Sequence, residues 1–159
     1  MGYLLQPLLN IRKMRENRAS SELVAARQAV QTAEKDVEKR KREFDEFERT
    51  KEERRDRIWD AIAGRAVSRE QIDLANEGIA RIDEESALRL DGVHRAESEL
   101  KRRIDAADAA RTVFVAATKN RMKIDEHKAD WLALDAKEQN ARAEGELEDF
   151  TGRKQNIDD

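Results

Sequence analysis

The stretch that decides the fold is LVAARQAVQTAEKDVEKRKREFDEF, residues 23–47. Apolar or long side chains recur along it at alternating steps of three and four residues. This heptad spacing keeps one stripe of side chains on the same side of an α-helix and is typical of coiled coils. Over residues 9–61 the stripe consists of Leu9, Arg12, Glu16, Ala19, Leu23, Ala26, Val30, Ala33, Val37, Arg40, Phe44, Phe47, Lys51, Arg54, Ile58 and Ala61. The pattern therefore predicts one long helix.

The same spacing resumes over residues 72–138 and predicts a second long helix. Its stripe consists of Ile72, Ala75, Ile79, Ile82, Ser86, Arg89, Val93, Ala96, Leu100, Arg103, Ala107, Ala110, Phe114, Ala117, Arg121 and Ile124. Gly64 lies between the two stretches and suits a left-handed helix cap. Ser68 and Gln71 read as a capping box at the start of the second helix, and Pro7 suits the first turn of the first. We predict an all-α chain with a single domain over residues 1–159. Helix one spans about 7–63, the loop about 64–68 and helix two about 69–148, followed by a frayed polar tail.

Folding the chain at this loop places the two stripes opposite each other, and we call the facing stripes the seam. Large side chains then face small ones, as Leu23 faces Ala110, which close packing of two helices requires. We therefore expect a long antiparallel two-helix coiled-coil hairpin that is a monomer alone. The same register sets Leu5 opposite Lys128, so residues beyond about Trp131 have no partner in helix one. The second helix is accordingly the longer one.

Composition narrows the classes of function. The chain has 32 basic and 35 acidic side chains spread along its length, so it lacks the one-sided basic surface that nucleic acid requires. It contains no run of 18 apolar residues, and we expect no direct membrane insertion. Cysteine is absent, which excludes disulfides and is compatible with a reducing cytoplasm.

The pattern also offers no place for chemistry. Two long helices leave no concave, water-excluded pocket, and no glycine-rich phosphate loop is present, so we expect no enzymatic activity and no cofactor. His127 and Asp130 share a helical face, but a metal site needs more ligands that converge and a second shell that orients them. A solvated helix face is the simpler interpretation, and we predict no metal site.

Two features leave a choice between a bland and a functional interpretation. The basic run at residues 12–15 is either a solvated helix face or a docking end. The argument for docking is that Arg12 falls opposite Arg121 on the seam, where like charges weaken the pairing. Trp59 and Trp131 either pack flat along their own helix or serve as contacts for a partner, since tryptophan is enriched at interface hot spots.

Two segments resemble the type III secretion stalk proteins of the YscO/SctO family, which are similar to the flagellar export protein FliJ. The first is the opening, Tyr3-Leu4-Leu5-Gln6-Pro7-Leu8-Leu9-Asn10-Ile11-Arg12-Lys13, followed by Arg15, Arg18 and Ala19. The second is His127-Lys128-Ala129-Asp130-Trp131, followed by Glu138, Ala141, Arg142, Glu144, Glu146 and Asp149. The likeness extends over nearly the whole chain in length and charge pattern, and its specific part is these two ends.

The resemblance implies a non-enzymatic, cytoplasmic central stalk at the base of a membrane-embedded bacterial secretion apparatus. It implies that the stalk couples the hexameric secretion ATPase to the cytoplasmic ring of the export gate, and that it also binds export chaperones in some members. Residues that match the terminal motifs would bind the ATPase: Leu8, Ile11, Arg12, Arg15, Lys128 and Trp131. The opposite tip would face the gate through Trp59, Gln71 and Leu74. The alternative is a generic coiled-coil tether or scaffold, which needs neither helices of unequal length nor specialised ends.

Overall fold

The computed structural model describes residues 2–155 of the chain, with side chains for residues 2–149. Helix α1 spans Gln6–Asp60 and helix α2 spans Arg69–Gln155, and the described residues contain no strand. The helices pack against each other in antiparallel fashion. The predicted all-α, two-helix hairpin with a longer second helix is therefore confirmed.

The helix ends follow local capping rules. Helix α1 begins at Gln6, whose amide donates to the Tyr3 carbonyl at 3.0 Å. Its regular part ends at Asp60, three residues before the predicted end, because the chain tightens there. The amides of both Ile62 and Ala63 donate to the Trp59 carbonyl, and this closes the turn before Gly64 adopts a left-handed φ of 70°.

The predicted capping box at the start of α2 is present. The Ser68 amide donates to Gln71 Oε1 at 2.8 Å, and the Gln71 amide donates to Ser68 Oγ at 3.3 Å. Each residue satisfies an amide that a helix start would otherwise leave unpaired. Helix α2 then continues to Gln155, beyond the predicted end at 148. The part of the predicted frayed tail at residues 156–159 lies outside the described residues.

The chain packs as two compact units, each of which contains a segment of both helices. The first, Leu23–Ala110, is the loop unit, and its buried residues all belong to the predicted seam. They are Leu23, Val37, Phe47, Ala75, Ser86, Val93 and Ala96. Burying apolar area is worth about 25 cal/mol per Å², so this narrow stripe provides most of the stability of helices that would be marginal alone.

The second unit comprises residues 2–22 and 111–155, and we call it the terminal unit. Its buried residues are Tyr3, Leu9 and Ala19, of which Leu9 is only 1% exposed. Leu9 and Ala19 were predicted seam members, whereas Tyr3 was not, because it precedes the helix. Along α2 the side chains of residues 136–149 are all exposed, and we call residues 132–149 the overhang.

Candidate docking surfaces

An aromatic cluster holds the chain's beginning against α2 in the terminal unit. The Tyr3 hydroxyl lies 2.7 Å from His127 Nδ1, and the Tyr3 ring lies 5.5 Å from the Trp131 ring between centroids. At the first residue of α1, Gln6 Oε1 accepts a hydrogen bond from Lys128 Nζ at 2.7 Å. Tilted aromatic pairs at such distances add about 0.5–1.5 kcal/mol beyond the area they bury. Trp131 is therefore partly covered from within its own chain.

The structure brings the six predicted ATPase-binding residues into this one unit. Ile11 and Arg15 are exposed, whereas Leu8 and Arg12 are half-buried on the same helix. Lys128 and Trp131 are also half-buried, since Gln6 and Tyr3 contact them. Ile11 at 46% exposure and Arg15 are thus the more accessible members of the set.

One expectation about the seam in this unit is wrong. Arg121 is not left facing Arg12 as an uncompensated like charge. Its guanidinium donates to Glu16 at 2.5 Å and also to Asp125. The hydrogen bond with Glu16, then that with Asp125, raises the pKa of Arg121. Glu16 lies one turn after Arg12. The long side chain of Arg121 therefore extends along the seam to the Glu16 carboxylate and pairs with it.

Arg12 remains without such compensation. Its Nε is buried and has no hydrogen-bond partner. Among residues 2–149, no carboxylate lies within salt-bridge distance of Arg12, Lys13 or Arg15. A shallow groove runs along these cations between α1 and α2, and we call it the basic groove. Its lining is Arg12, Arg15, Arg18, Ala19 and Glu22 from α1 with Val113, Ala116, Ala117 and Asn120 from α2.

Charge is distributed unevenly along α2 in the same unit. Residues 111–124, which flank the basic groove, carry four basic and no acidic side chains. The overhang carries six acidic and two basic side chains. It also exposes Leu132 and Leu134, at 50% and 61%. The terminal unit therefore presents a basic groove and an acidic, partly apolar helix, both open to a protein partner.

At the tip of the loop unit, large apolar side chains surround the turn. Trp59 is 42% exposed, Ile72 40% and Leu74 65%. The side chain of Gln71, the third residue predicted to contact the gate, is engaged in the capping box instead. Ile72 was predicted as a seam member, but it faces solvent because the helix pairing has ended this close to the turn. It adds an apolar side chain that the list of predicted tip contacts lacked.

Polar contacts cross the seam in the middle of the loop unit. Asp83 accepts from Arg55 and lies 3.4 Å from Lys51, while Lys41 pairs with Glu97 at 2.7 Å. The hydrogen bond with Arg55 is the main cause of the lowered pKa of Asp83. Bonding with Lys41 likewise lowers the pKa of Glu97. These exposed pairs fix the register of the two helices more than they stabilise them.

Phe47 is the best-enclosed aromatic side chain of the loop unit. It is 3% exposed, and the guanidinium carbons of Arg54 and Arg89 lie 4.8 and 4.9 Å from its ring centroid. The predicted register sets Arg54, a seam member, opposite Ile79. Its head instead covers the Phe47 ring, where a cation gains from the negative face of the ring.

The described residues show no cluster of three or more histidine, cysteine, aspartate or glutamate side chains that would hold a metal ion. No helix within them is both long enough and apolar enough to cross a membrane.

Comparison with known proteins agrees with this architecture. The family model described as type III secretion protein YscO matches residues 5–153. A solved structure from Chlamydia trachomatis, described as that of a candidate YscO homolog, has a TM-score of 0.71 and 19% sequence identity. The similarity covers 96% of this chain and 93% of that one, and at this identity it shows a shared fold. Among curated proteins, none matches.

Proposed function

The chain belongs to the YscO family of type III secretion proteins, and from this premise we propose that it is the central stalk of a bacterial type III secretion system. In this role it couples the hexameric secretion ATPase to the export gate on the cytoplasmic side of the apparatus. It performs no chemistry of its own. The observation that carries the proposal is the convergence of the family-like residues of both helices on the terminal unit, beside a basic groove in which Arg12 and Arg15 have no carboxylate within salt-bridge distance among the described residues.

The ATPase contact would be made by the terminal unit. Ile11 and Arg15 offer an apolar and a basic contact on α1, and the overhang extends α2 beyond them. A basic surface attracts acidic groups of a partner and speeds its encounter. The Tyr3 ring covers one side of Trp131. Trp131 would therefore contact the ATPase as part of the aromatic cluster and not as a free side chain.

Coupling would follow from symmetry. A two-helix stalk inside a six-fold ring contacts the ring subunits unequally. It then favours nucleotide binding or hydrolysis in one subunit over another, provided that its contacts differ between the subunit states. The tip, with exposed Trp59, Ile72 and Leu74, would face the ring of the export gate. Export chaperones are further partners that the family resemblance suggests.

A charge reversal tests the ATPase contact. The double variant Arg12→Glu, Arg15→Glu should lower ATPase affinity at least tenfold and reduce stimulation of hydrolysis, because attraction to acidic partner groups becomes repulsion. The matched control is Lys39→Glu with Arg42→Glu, at the same spacing on the exposed surface of α1 in the loop unit. Trp59→Ala should leave stimulation intact and weaken binding to the gate. Circular dichroism at 222 nm verifies the helices of every variant.

Three other results would count against the proposal in different ways. Normal stimulation by the terminal variant together with a loss for Trp59→Ala means that the stalk is oriented the opposite way. An equal loss for the control variant means that net charge, and not the basic groove, determines binding. No binding of the ATPase by the unmodified protein leaves a coiled-coil tether as the function.

A further inference from the structure

We propose that the terminal unit also binds a second copy of this chain, with the overhang of each copy lying in the basic groove of the other. The starting point is a complementarity within a single chain. Arg12 and Arg15 in the groove have no carboxylate partner within salt-bridge distance among the described residues, whereas Arg18 pairs with Glu22, and the overhang exposes an excess of carboxylates. The overhang is a continuation of α2, so it leads away from the groove of its own chain and reaches only that of another.

The order of charges supports a defined alignment. Along the exposed edge of α1, Arg15, Arg18 and Glu22 follow one another at steps of three and four residues. Along the overhang, one helical stripe shows the same steps with every sign reversed, in Asp135, Glu138 and Arg142. Running parallel at an offset of 120 residues, the two triplets match in full. Neighbouring helices of a coiled coil use edge charges in this way to select partner and register.

The alignment closes on itself. Because α1 and α2 are antiparallel, an overhang that is parallel to α1 of the other copy is antiparallel to that copy's α2. Two antiparallel α2 helices are related by a two-fold axis, which here passes near His127, midway between the groove and the overhang. The axis repeats the same contact on both sides, as an isologous dimer requires. Two docking events therefore stabilise one closed pair, and no open chain of copies forms.

The lining of the groove allows another helix to approach. Its floor holds the small side chains of Ala19, Ala116 and Ala117, which allow close approach of another backbone. Leu134 and Ala141 lie on the same side of α2 as Val113, since they follow it by whole numbers of heptads. In the closed pair, Ala141 of each copy comes opposite Val113 of the other, and Leu134 comes opposite Asn120. Apolar contact thus accompanies the ion pairs.

The pairing leaves the seam of each chain closed, which is why a monomer is expected in dilute protein. Apart from the groove floor at Ala19 and Ala117, the second copy contacts side chains outside the seam. Their attraction is screened by salt, since the Debye length falls from about 30 Å at 0.01 M to about 3 Å at 1 M ionic strength. Pairing should accordingly be reversible and strongest at low ionic strength.

Sedimentation velocity with two charge-reversed variants tests the pairing. The groove variant carries Arg15→Glu, Arg18→Glu and Glu22→Lys, and the overhang variant carries Asp135→Lys, Glu138→Lys and Arg142→Glu. We expect the unmodified protein to dimerise at about 0.01 M and to be monomeric at about 1 M ionic strength. Each variant alone should bind itself at least tenfold more weakly, because its groove and overhang triplets repel. An equimolar mixture should form a heterodimer, since both contacts are then complementary again.

A monomeric unmodified protein at low ionic strength would overturn the proposal. So would a groove variant that still dimerises, or a mixture that stays monomeric while circular dichroism shows both chains folded. The overhang variant guards against a folding defect, because its altered side chains lie outside the paired seam. The control with Lys39→Glu and Arg42→Glu should dimerise like the unmodified protein. Since the assay contains only this chain, its outcome is independent of the ATPase and of the proposed function.

Discussion

Replacement of Phe47 tests how the loop unit is held together. Its ring is buried on the seam and lies between the guanidinium groups of Arg54 and Arg89, at 4.8 and 4.9 Å. Phe47→Leu keeps most of the apolar volume and removes the ring face. With about 0.5–1 kcal/mol for each exposed cation–π contact, the expected loss in free energy of unfolding is about 1–2 kcal/mol. Phe47→Ala removes the packing as well and should cost about 3–5 kcal/mol.

Urea unfolding followed by circular dichroism at 222 nm measures these losses. Phe44→Leu is the matched control, because Phe44 is a seam phenylalanine of the same helix that is only half-buried and has no cation over its ring. It should cost less than Phe47→Leu. A double-mutant cycle of Phe47→Leu with Arg89→Met should give a coupling of about 0.5–1 kcal/mol. The reasoning is refuted if the coupling is zero and both leucine variants lose the same stability.

Two further outcomes concern single positions of the loop unit. Gly92→Ala should raise the free energy of unfolding by about 0.5–1 kcal/mol through helix propensity, because the added methyl meets only the flexible end of the Arg40 side chain at 3.3 Å. Gly78→Ala should gain less stability or lose some in the same urea titration, since its methyl meets the seam side chain of Ile58 at 3.2 Å. Asp83→Asn should lower the urea midpoint at pH 7 and not at low pH. The bond with Arg55 depresses the pKa of Asp83, so its contribution is present above the ordinary value of 3.8 and is lost as pH falls from there through the folded-state pKa. A midpoint difference that persists in strong acid would contradict this assignment.

Much of the fold follows from the sequence because a coiled coil is encoded locally. The three-four spacing identifies the buried residues of the loop unit, from Leu23 to Ala96, without knowledge of any other contact. The capping box identifies the start of α2 for the same reason. The burial of Tyr3 was not predicted, because a residue that precedes the helix has no heptad position. The register still contained the signal, since extending it by two residues from Leu5 and Lys128 sets Tyr3 beside Asp130, next to Trp131.

The side chains at the ends are harder to assign from spacing alone. Heptad positions predict which residues of the two helices face each other. An arginine side chain is long enough to reach several possible partners, so its contacts do not follow from its position alone. Arg121 therefore bonds to Glu16 and Asp125, and Arg54 covers the Phe47 ring. The choice depends on side-chain reach and local charge, which a one-dimensional pattern does not contain.

The two proposals for the terminal unit draw on the same uncompensated charges. Arg12 and Arg15 of the groove have no carboxylate partner within salt-bridge distance among the described residues, while the overhang farther along α2 carries an excess of acidic side chains. In each proposal another molecule supplies the acidic partner, either a second copy or a subunit of the ATPase ring. Since both would occupy the groove at Arg15, they exclude each other. If both proposals hold, a paired copy would have to separate before the terminal unit could bind the ATPase ring. A weak, salt-screened contact is suited to such an exchange because it releases readily.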